Sequence, residues 1–227
     1  MMAHPHLPTA QRRLIIGDLH GCYRELLDLL DTAGYSEKRD TLVCVGDIMG
    51  KGPYPLKVLE FLFARGAKIV RGNHDQAALN YADLDEDSLQ PGERAYLDCL
   101  GPQRDRWLET IRSWPAYLEW EDLIVVHAGL VPGIRELDSM PEHLLMHIRT
   151  WDGKGENLNN VNDPPWYELV KPGKTVVFGH WAQKGLINLS GFKGLDTGCV
   201  YGRQLTAYCP EEDRFYQAPS KKAYRPV

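Results

Sequence analysis

The run Ala67-Lys68-Ile69-Val70-Arg71-Gly72-Asn73-His74-Asp75-Gln76-Ala77-Ala78-Leu79 packs a strand, a sharp turn and a helix start into thirteen residues. Residues 67–70 are an apolar, strand-like run and 76–79 a helix-like one. Gly72 provides the backbone freedom for the turn between them. The turn sets an amide oxygen, an imidazole and a carboxylate side by side. Taken alone, Asn73-His74-Asp75 reads equally as a surface turn capping a helix. Four other turns tip the balance. Gly17-Asp18-Leu19-His20-Gly21 and Gly46-Asp47 lie upstream, and Val126-His127-Ala128-Gly129 and Phe178-Gly179-His180 lie downstream. Each follows an apolar, β-rich run, so the five are expected to share one site.

Upstream, Leu14–Ile16 is a short buried-type strand. The helix after it carries Leu26, Leu27, Leu29 and Leu30 on its apolar face and ends near Gly34. Thr41–Val45 is the second strand, ending at Gly46-Asp47-Ile48-Met49-Gly50-Lys51-Gly52. Val58, Leu59, Phe61 and Leu62 pack the next helix. A β-α-β-α-β alternation predicts parallel strands with helices on the faces, in the α/β class. Ligands in such sheets sit beyond the carboxyl ends of the strands, where Asp18, His20, Asp47 and Asn73 all fall.

Downstream, residues 83–115 are charged and polar with helix-like stretches at 92–100 and 103–113. They form a helical excursion that either shapes substrate access or packs as a cap. Tyr117–Trp120 and Leu123–Val126 are expected to make a hairpin. A helix-like part at Pro141–Arg149 is followed by an Asn- and Pro-rich surface loop at 153–165. Thr175–Phe178 is a strand, and short β-runs at 186–189, 192–195, 204–208 and 213–217 predict a second, mixed or antiparallel sheet. The expected organisation is a loose leader at 1–13, with His4 and His6 as solvated tail residues, one domain at 14–218, and a tail at 219–227.

The 227 residues are 43% apolar, enough for a sizeable core, and the net charge of −5 offers no dedicated nucleic-acid surface. No apolar run approaches a signal peptide core or a membrane span. Five scattered cysteines without CxxC spacing suit a reduced, cytoplasmic chain.

Three carboxylate or amide ligands (Asp18, Asp47, Asn73) and three imidazoles (His20, His127, His180) suit a pair of divalent cations. The mixture favours manganese, iron, zinc or cobalt over calcium, and magnesium also fits. Two ions about 3.5–4 Å apart need a bridging ligand. Asp47 is the natural one, lying between Asp18/His20 and Asn73/His127/His180. His74 is left over as a proton donor to a leaving oxygen.

In this order the five turns resemble the signature of the calcineurin-type metallophosphoesterases, specifically the phosphoprotein-phosphatase branch, over residues 14 to about 208. The resemblance implies two β-sheets packed as a sandwich and flanked by helices, four layers in all. It implies a dinuclear metal centre whose bridging hydroxide attacks phosphorus in line. Protein Ser/Thr phosphatases carry an Asp-Arg pair where this chain has Gly50-Lys51. Lys51, Asp75 and the run Leu195-Asp196-Thr197-Gly198-Cys199-Val200-Tyr201-Gly202 are similar instead to symmetrical diadenosine tetraphosphatases and ApaH-like phosphatases.

The expected catalytic residues are therefore His74, Lys51, Arg149 and Asp75. Lys51 and Arg149 meet phosphate, with a surface arginine as the other reading of Arg149. Asp75 orients His74 through water, biases the helix terminus, or marks the subfamily. Gly50 leaves His74 without the usual orienting carboxylate, and Asp196–Tyr201 either lines the nucleotide side or is a conformational turn. The expected reaction is cleavage of a nucleotide phosphoanhydride such as diadenosine tetraphosphate to two ADP. A protein phosphatase, a hydrolase of capped RNA or polyphosphate, and a silent metal-binding protein are the alternatives.

Overall fold

The computed structural model describes residues 12–226. Most of the expected leader, with His4 and His6, lies outside the described residues, as does Val227. Its last two residues do not belong to a leader: Arg12 and Arg13 open strand β1 (Arg12–Ile16). They are held there by ion pairs, Arg12 with Asp40 at 3.1 Å and Arg13 with Glu211 at 2.6 Å.

Among the described residues, ten strands make two five-stranded sheets. The first contains β1, β2 (Asp40–Cys44), β3 (Lys68–Ile69), β9 (Gln204–Cys209) and β10 (Arg214–Pro219), in the order β10-β9-β1-β2-β3. The second contains β4 (Tyr117–Glu119), β5 (Leu123–Val126), β6 (Thr175–Phe178), β7 (Ile187–Leu189) and β8 (Phe192–Gly194), in the order β4-β5-β6-β8-β7. β1, β2 and β3 are parallel, as are β5, β6 and β8. The second sheet is thus mixed, but the runs at 204–208 and 213–217 do not join it. β9 pairs antiparallel with β1, Ile16 opposite Ala207, and β10 extends the first sheet beyond it. The cause is local: the β1 edge away from β2 is open, and Gly17 N continues the pairing by donating to Thr206 O at 2.9 Å.

Side-chain alternation sets the layers. Ile15 and Val43 of the first sheet meet Leu123, Val125 and Val177 of the second between the sheets. Their neighbours Leu14, Ile16, Leu42 and Cys44 point the other way, against α1 (Tyr23–Thr32) and α2 (Pro55–Ala64). Ile124, Val126, Val176 and Phe178 cover the outer face of the second sheet together with Leu144 and Leu145 of the short α6 (Glu142–His147) and Trp166 of α7 (Trp166–Leu169). The result is helix, sheet, sheet, helix. On α1 the buried set is Glu25, Leu26, Leu29 and Leu30. Leu27, expected to face the core, is 40% exposed, one position off the 3.6-residue stripe.

The excursion forms α4 (Pro91–Asp98) and α5 (Arg104–Arg112), which pack beside α3 (Asn73–Ala82) through Leu97, Trp107 and Ile111. The loop at 153–165 is tied down at its start. The amides of Lys154, Gly155, Glu156 and Asn157 donate to the Asp152 carboxylate, and these bonds, Lys154 foremost, hold its pKa at about 2. Residues after β10 fold back on the body: Tyr224 N donates to Val200 O at 2.9 Å. All five cysteines are free, and no helix among the described residues is long and apolar enough to cross a membrane.

Candidate metal centre and active site

The five turns converge at one rim of the sandwich, beyond the carboxyl ends of β1, β2, β3, β5 and β6. Their backbones are distorted to do so. His20, Asp47 and His180 have positive φ of 42°, 51° and 68°, in the left-handed region that non-glycine residues avoid. Such strain costs roughly 1 kcal/mol or more per residue and persists where the surrounding structure enforces it, typically at functional sites. Gly72 is dictated by crowding: a Cβ there would collide with Asp47 Oδ1 and the Asp47 backbone nitrogen.

Proton accounting defines the site's chemistry. His127 Nδ1 donates to Val45 O at 2.8 Å, so its Nε2 carries a lone pair. His180 Nε2 donates to His147 O at 3.2 Å, so its Nδ1 carries one. Both lone pairs face the same atom, Asn73 Oδ1, each at 3.0 Å. His20 Nδ1 donates to Met49 O at 2.9 Å, and its Nε2 faces Asp47 Oδ2 at 3.5 Å. Asp47 Oδ1 lies 3.5 Å from His127 Nε2. Burial keeps these imidazoles neutral, pushing His127 down to about 3 and His20 and His180 well below their usual value. The lone pairs of His127 and His180 thus converge on a single oxygen, an arrangement that a cation satisfies.

The carboxylates point the same way. Asp18 accepts the His180 amide at 3.1 Å and Asp47 the His74 amide at 2.9 Å. Both are buried, and burial pushes their pKa values well above the usual range. The negative charge of Asp196 adds to this at Asp18, and that of Asp75 at Asp47. Donor atoms of Asp18, Asp47 and His127 lie within 4.8 Å of one another, as do those of His20, Asp47 and His74. Asp47 is shared by the two groups. The donor set fits borderline divalent ions.

Lys51 and Arg149 enter the same cavity, about 230 Å³ in volume. Lys51 Nζ donates to His20 Nε2 at 3.3 Å and lies 5.3 Å above the Tyr201 ring. Arg149 donates to His180 O at 3.0 Å, and its Nε is buried without a hydrogen-bond partner among the described residues. Asp196, Tyr201, Arg203 and Pro226 also line the cavity, Asp196 buried beside Asp18, and Arg203 and Pro226 exposed. Of the readings open for Asp75, its position at the start of α3 fits the helix-terminus one and not contact with His74. It is fully buried at the third position of α3, and its two oxygens accept the amides of Met49 and Gly72, each at 2.9 Å. It clamps two site turns together, rather than reaching His74.

The partner of His74 comes from the excursion. Tyr96 of α4 donates its hydroxyl to His74 O at 2.9 Å, and the same oxygen lies 3.5 Å from His74 Nδ1. Gly50 makes the room. A Cβ on it, at φ +109°, would stand 3.1 Å from Tyr96 Oη and 3.2 Å from His74 Nδ1. Sequence reasoning missed Tyr96 because it carries no motif. Only helix packing brings it 22 residues back to His74. Pro226 was missed for the same reason, lying in a segment with no periodic pattern.

The pattern that defines the calcineurin-like phosphoesterases matches residues 12–198. The symmetrical bis(5'-nucleosyl)-tetraphosphatase of Photorhabdus laumondii is 29% identical, over 93% of this chain and 98% of its own length. That of Nitrosomonas europaea is 30% identical, over 90% and 97%. A solved structure named as a candidate diadenosine tetraphosphatase superposes with a TM-score of 0.78 at 30% identity, covering 95% of this chain and 96% of that one. The Sphaerobacter thermophilus metallophosphoesterase, at TM-score 0.60 and 20% identity over 94% and 89%, shares the fold. With the strand-end site in place and the match running along nearly the whole described chain, the protein belongs to the calcineurin-like phosphoesterase family.

Proposed function

We propose that the protein is a divalent-metal phosphohydrolase that splits a dinucleoside tetraphosphate, such as diadenosine tetraphosphate, symmetrically into two nucleoside diphosphates. The observation that supports the hydrolase reading is the set of ligand-type atoms converging on Asn73 Oδ1 and Asp47. The substrate rests on the relatives' named activity and on Gly50-Lys51.

Asp18, His20 and Asp47 would hold one cation, and Asn73, His127 and His180, with Asp47, the other. Two bound ions, manganese first among the fits, supply Lewis-acid activation of the attacking water and offset charge on the phosphoryl oxygens. Arg149 and Lys51 bind the reacting phosphate. Arg149 offers an Nε without a partner among the described residues, and Lys51 contributes a point charge. Both positive groups face the place where negative charge grows in the transition state. His74 gives a proton to the departing oxygen, with Tyr96 holding its ring from behind. A neutral phenol holds the ring without the charge that a carboxylate brings, and a nucleoside diphosphate is a good leaving group that asks little of the acid. The cavity fits a polyphosphate better than two nucleosides, so Tyr201, Arg203 and Pro226 at its mouth receive the nucleoside end. A nucleotide substrate and five free thiols suit the cytoplasm.

The test is a manganese-supplemented assay with diadenosine tetraphosphate, capped RNA, polyphosphate and a phosphopeptide, followed by chromatography of the products. Two ADP from diadenosine tetraphosphate is the expected result. AMP plus ATP, or a phosphopeptide turned over faster than every anhydride, overturns the proposal.

A further inference from the structure

A second cluster of ligand-type side chains lies beside the pocket wall and takes no part in the reaction above. Cys22 immediately precedes α1, Glu25 sits in its first turn, and Cys199 belongs to the loop between β8 and β9. Cys22 and Glu25 have no exposed surface and Cys199 is 2% exposed. Their donor atoms all lie within 4.8 Å of one another. Two sulfurs and an oxygen on a tetrahedral ion of the zinc class stand about 3.5–3.8 Å apart, given metal–ligand bonds of about 2.3 and 2.0 Å. Small side-chain adjustments bring these three atoms to that spacing.

Glu25 adds an independent sign. Its Oε1 accepts from Lys221 N and Tyr224 Oη, each at 2.9 Å. Its Oε2 is buried and has no hydrogen-bond partner among the described residues. A buried carboxylate oxygen with neither a donor nor a counter-ion is costly to leave unpaired. A cation held jointly with the two sulfurs satisfies it.

We propose that Cys22, Glu25 and Cys199 form a structural site for one thiophilic divalent cation of the zinc class, separate from the phosphoesterase centre. Calcium and magnesium are disfavoured, because they take oxygen ligands. On binding, each thiol releases its proton to solvent and the sulfur lone pair makes the metal bond; nothing is oxidised or reduced. The ion ties together three segments that shape the pocket. These are the start of α1, two residues past His20, the run that gives Asp196 and Tyr201 to the cavity, and, through Glu25 Oε1, the returning segment that carries Pro226.

Cadmium reports on the site, because its bonds to thiolate absorb in the ultraviolet and the phosphoesterase centre contains no thiol. Reduced full-length protein is saturated with manganese and then titrated to equilibrium with cadmium. One equivalent is expected to raise the thiolate band. The band is expected to be lost in Cys22→Ser and in Cys199→Ser and kept in Cys99→Ser, with circular dichroism checking each fold. Glu25→Gln keeps both thiols and the side-chain shape, so it serves if the serine variants do not fold. It is expected to weaken cadmium binding by about tenfold or more. Several results overturn the site: no band in the wild type, a band that survives in both serine variants, or unchanged affinity in Glu25→Gln. So does denatured wild-type protein two thiols short because Cys22 and Cys199 have formed a disulfide.

Discussion

Tyr96→Phe removes one oxygen and leaves the ring, which also packs edge-on to Tyr81 at 5.6 Å between centroids. The lost oxygen does two things. It donates to His74 O at 2.9 Å and faces His74 Nδ1 at 3.5 Å. Burial, reinforced by Asp75 and Asp47, pushes the phenol well above its usual pKa, so its proton is present throughout the working pH range. A neutral hydrogen bond of this kind is worth about 1 kcal/mol net. Placed on the transition state alone, that is about a 5-fold fall in kcat with KM little changed. With His74 in its proposed role as acid, the fall is expected to be larger for a simple alkyl phosphate than for diadenosine tetraphosphate, because a departing alkoxide needs an acid and a diphosphate hardly does. Steady-state rates with both substrates in manganese, for Tyr96→Phe, His74→Asn and the double variant, check this. In the His74→Asn background the tyrosine substitution should change nothing further. The same loss with and without His74 would mean that Tyr96 only stiffens the excursion, and a full-rate Tyr96→Phe on both substrates would refute the positioning role outright.

Asp47→Asn weakens the ligand shared by both donor groups. Metal content by mass spectrometry is expected to fall, together with activity by about 10²–10³-fold, matching the several kcal/mol that bound metals supply. Gly72→Ala drives a Cβ into Asp47, so the melting temperature and manganese affinity should fall together, with a stability loss of about 1–3 kcal/mol. An alanine variant with wild-type melting and metal binding would contradict the crowding. Asp152 has its folded pKa depressed to about 2, against about 3.9 unfolded, so its contribution is fully present above roughly pH 4 and lost as pH falls through 2. The amide resonances of Lys154 and Asn157 should shift together across that window and be displaced at all pH values in Asp152→Asn.

Much of the architecture was legible because the signals were local. Parallel β1, β2 and β3 follow from the alternation of apolar strand and amphipathic helix, and each site turn was marked by its own glycine and polar residues. Features that depend on pairing across long separations were not legible. β9 and β10 carry the same alternation as β7 and β8, and nothing in 204–219 states that its partner is β1, nearly two hundred residues earlier. Asp75 was legible only as a set of alternatives for a related reason. Its neighbours in sequence are the candidate site residues, but a residue at the third position of a helix points back over the turn before it, and there it meets the amides of Gly72 and Met49.

Gly50 and Tyr96 are one feature seen from two places. At φ +109° the chain at position 50 favours glycine, and the space in front of it is filled by a phenol oxygen 3.1 Å from where a Cβ would stand. A carboxylate at 50 and the tyrosine at 96 would crowd the same volume behind His74, so this chain holds the histidine with one and forgoes the other. The choice has a chemical consequence. A carboxylate beside Nδ1 favours the protonated imidazole, whereas a phenol leaves His74 to burial and to the positive charge of Lys51, which together push it down to about 4. A weaker proton reservoir is tolerable only where the departing group needs little help. That links an absent side chain in the second strand-end turn, a tyrosine in an otherwise unmarked helix and a phosphoanhydride substrate in a single physical argument.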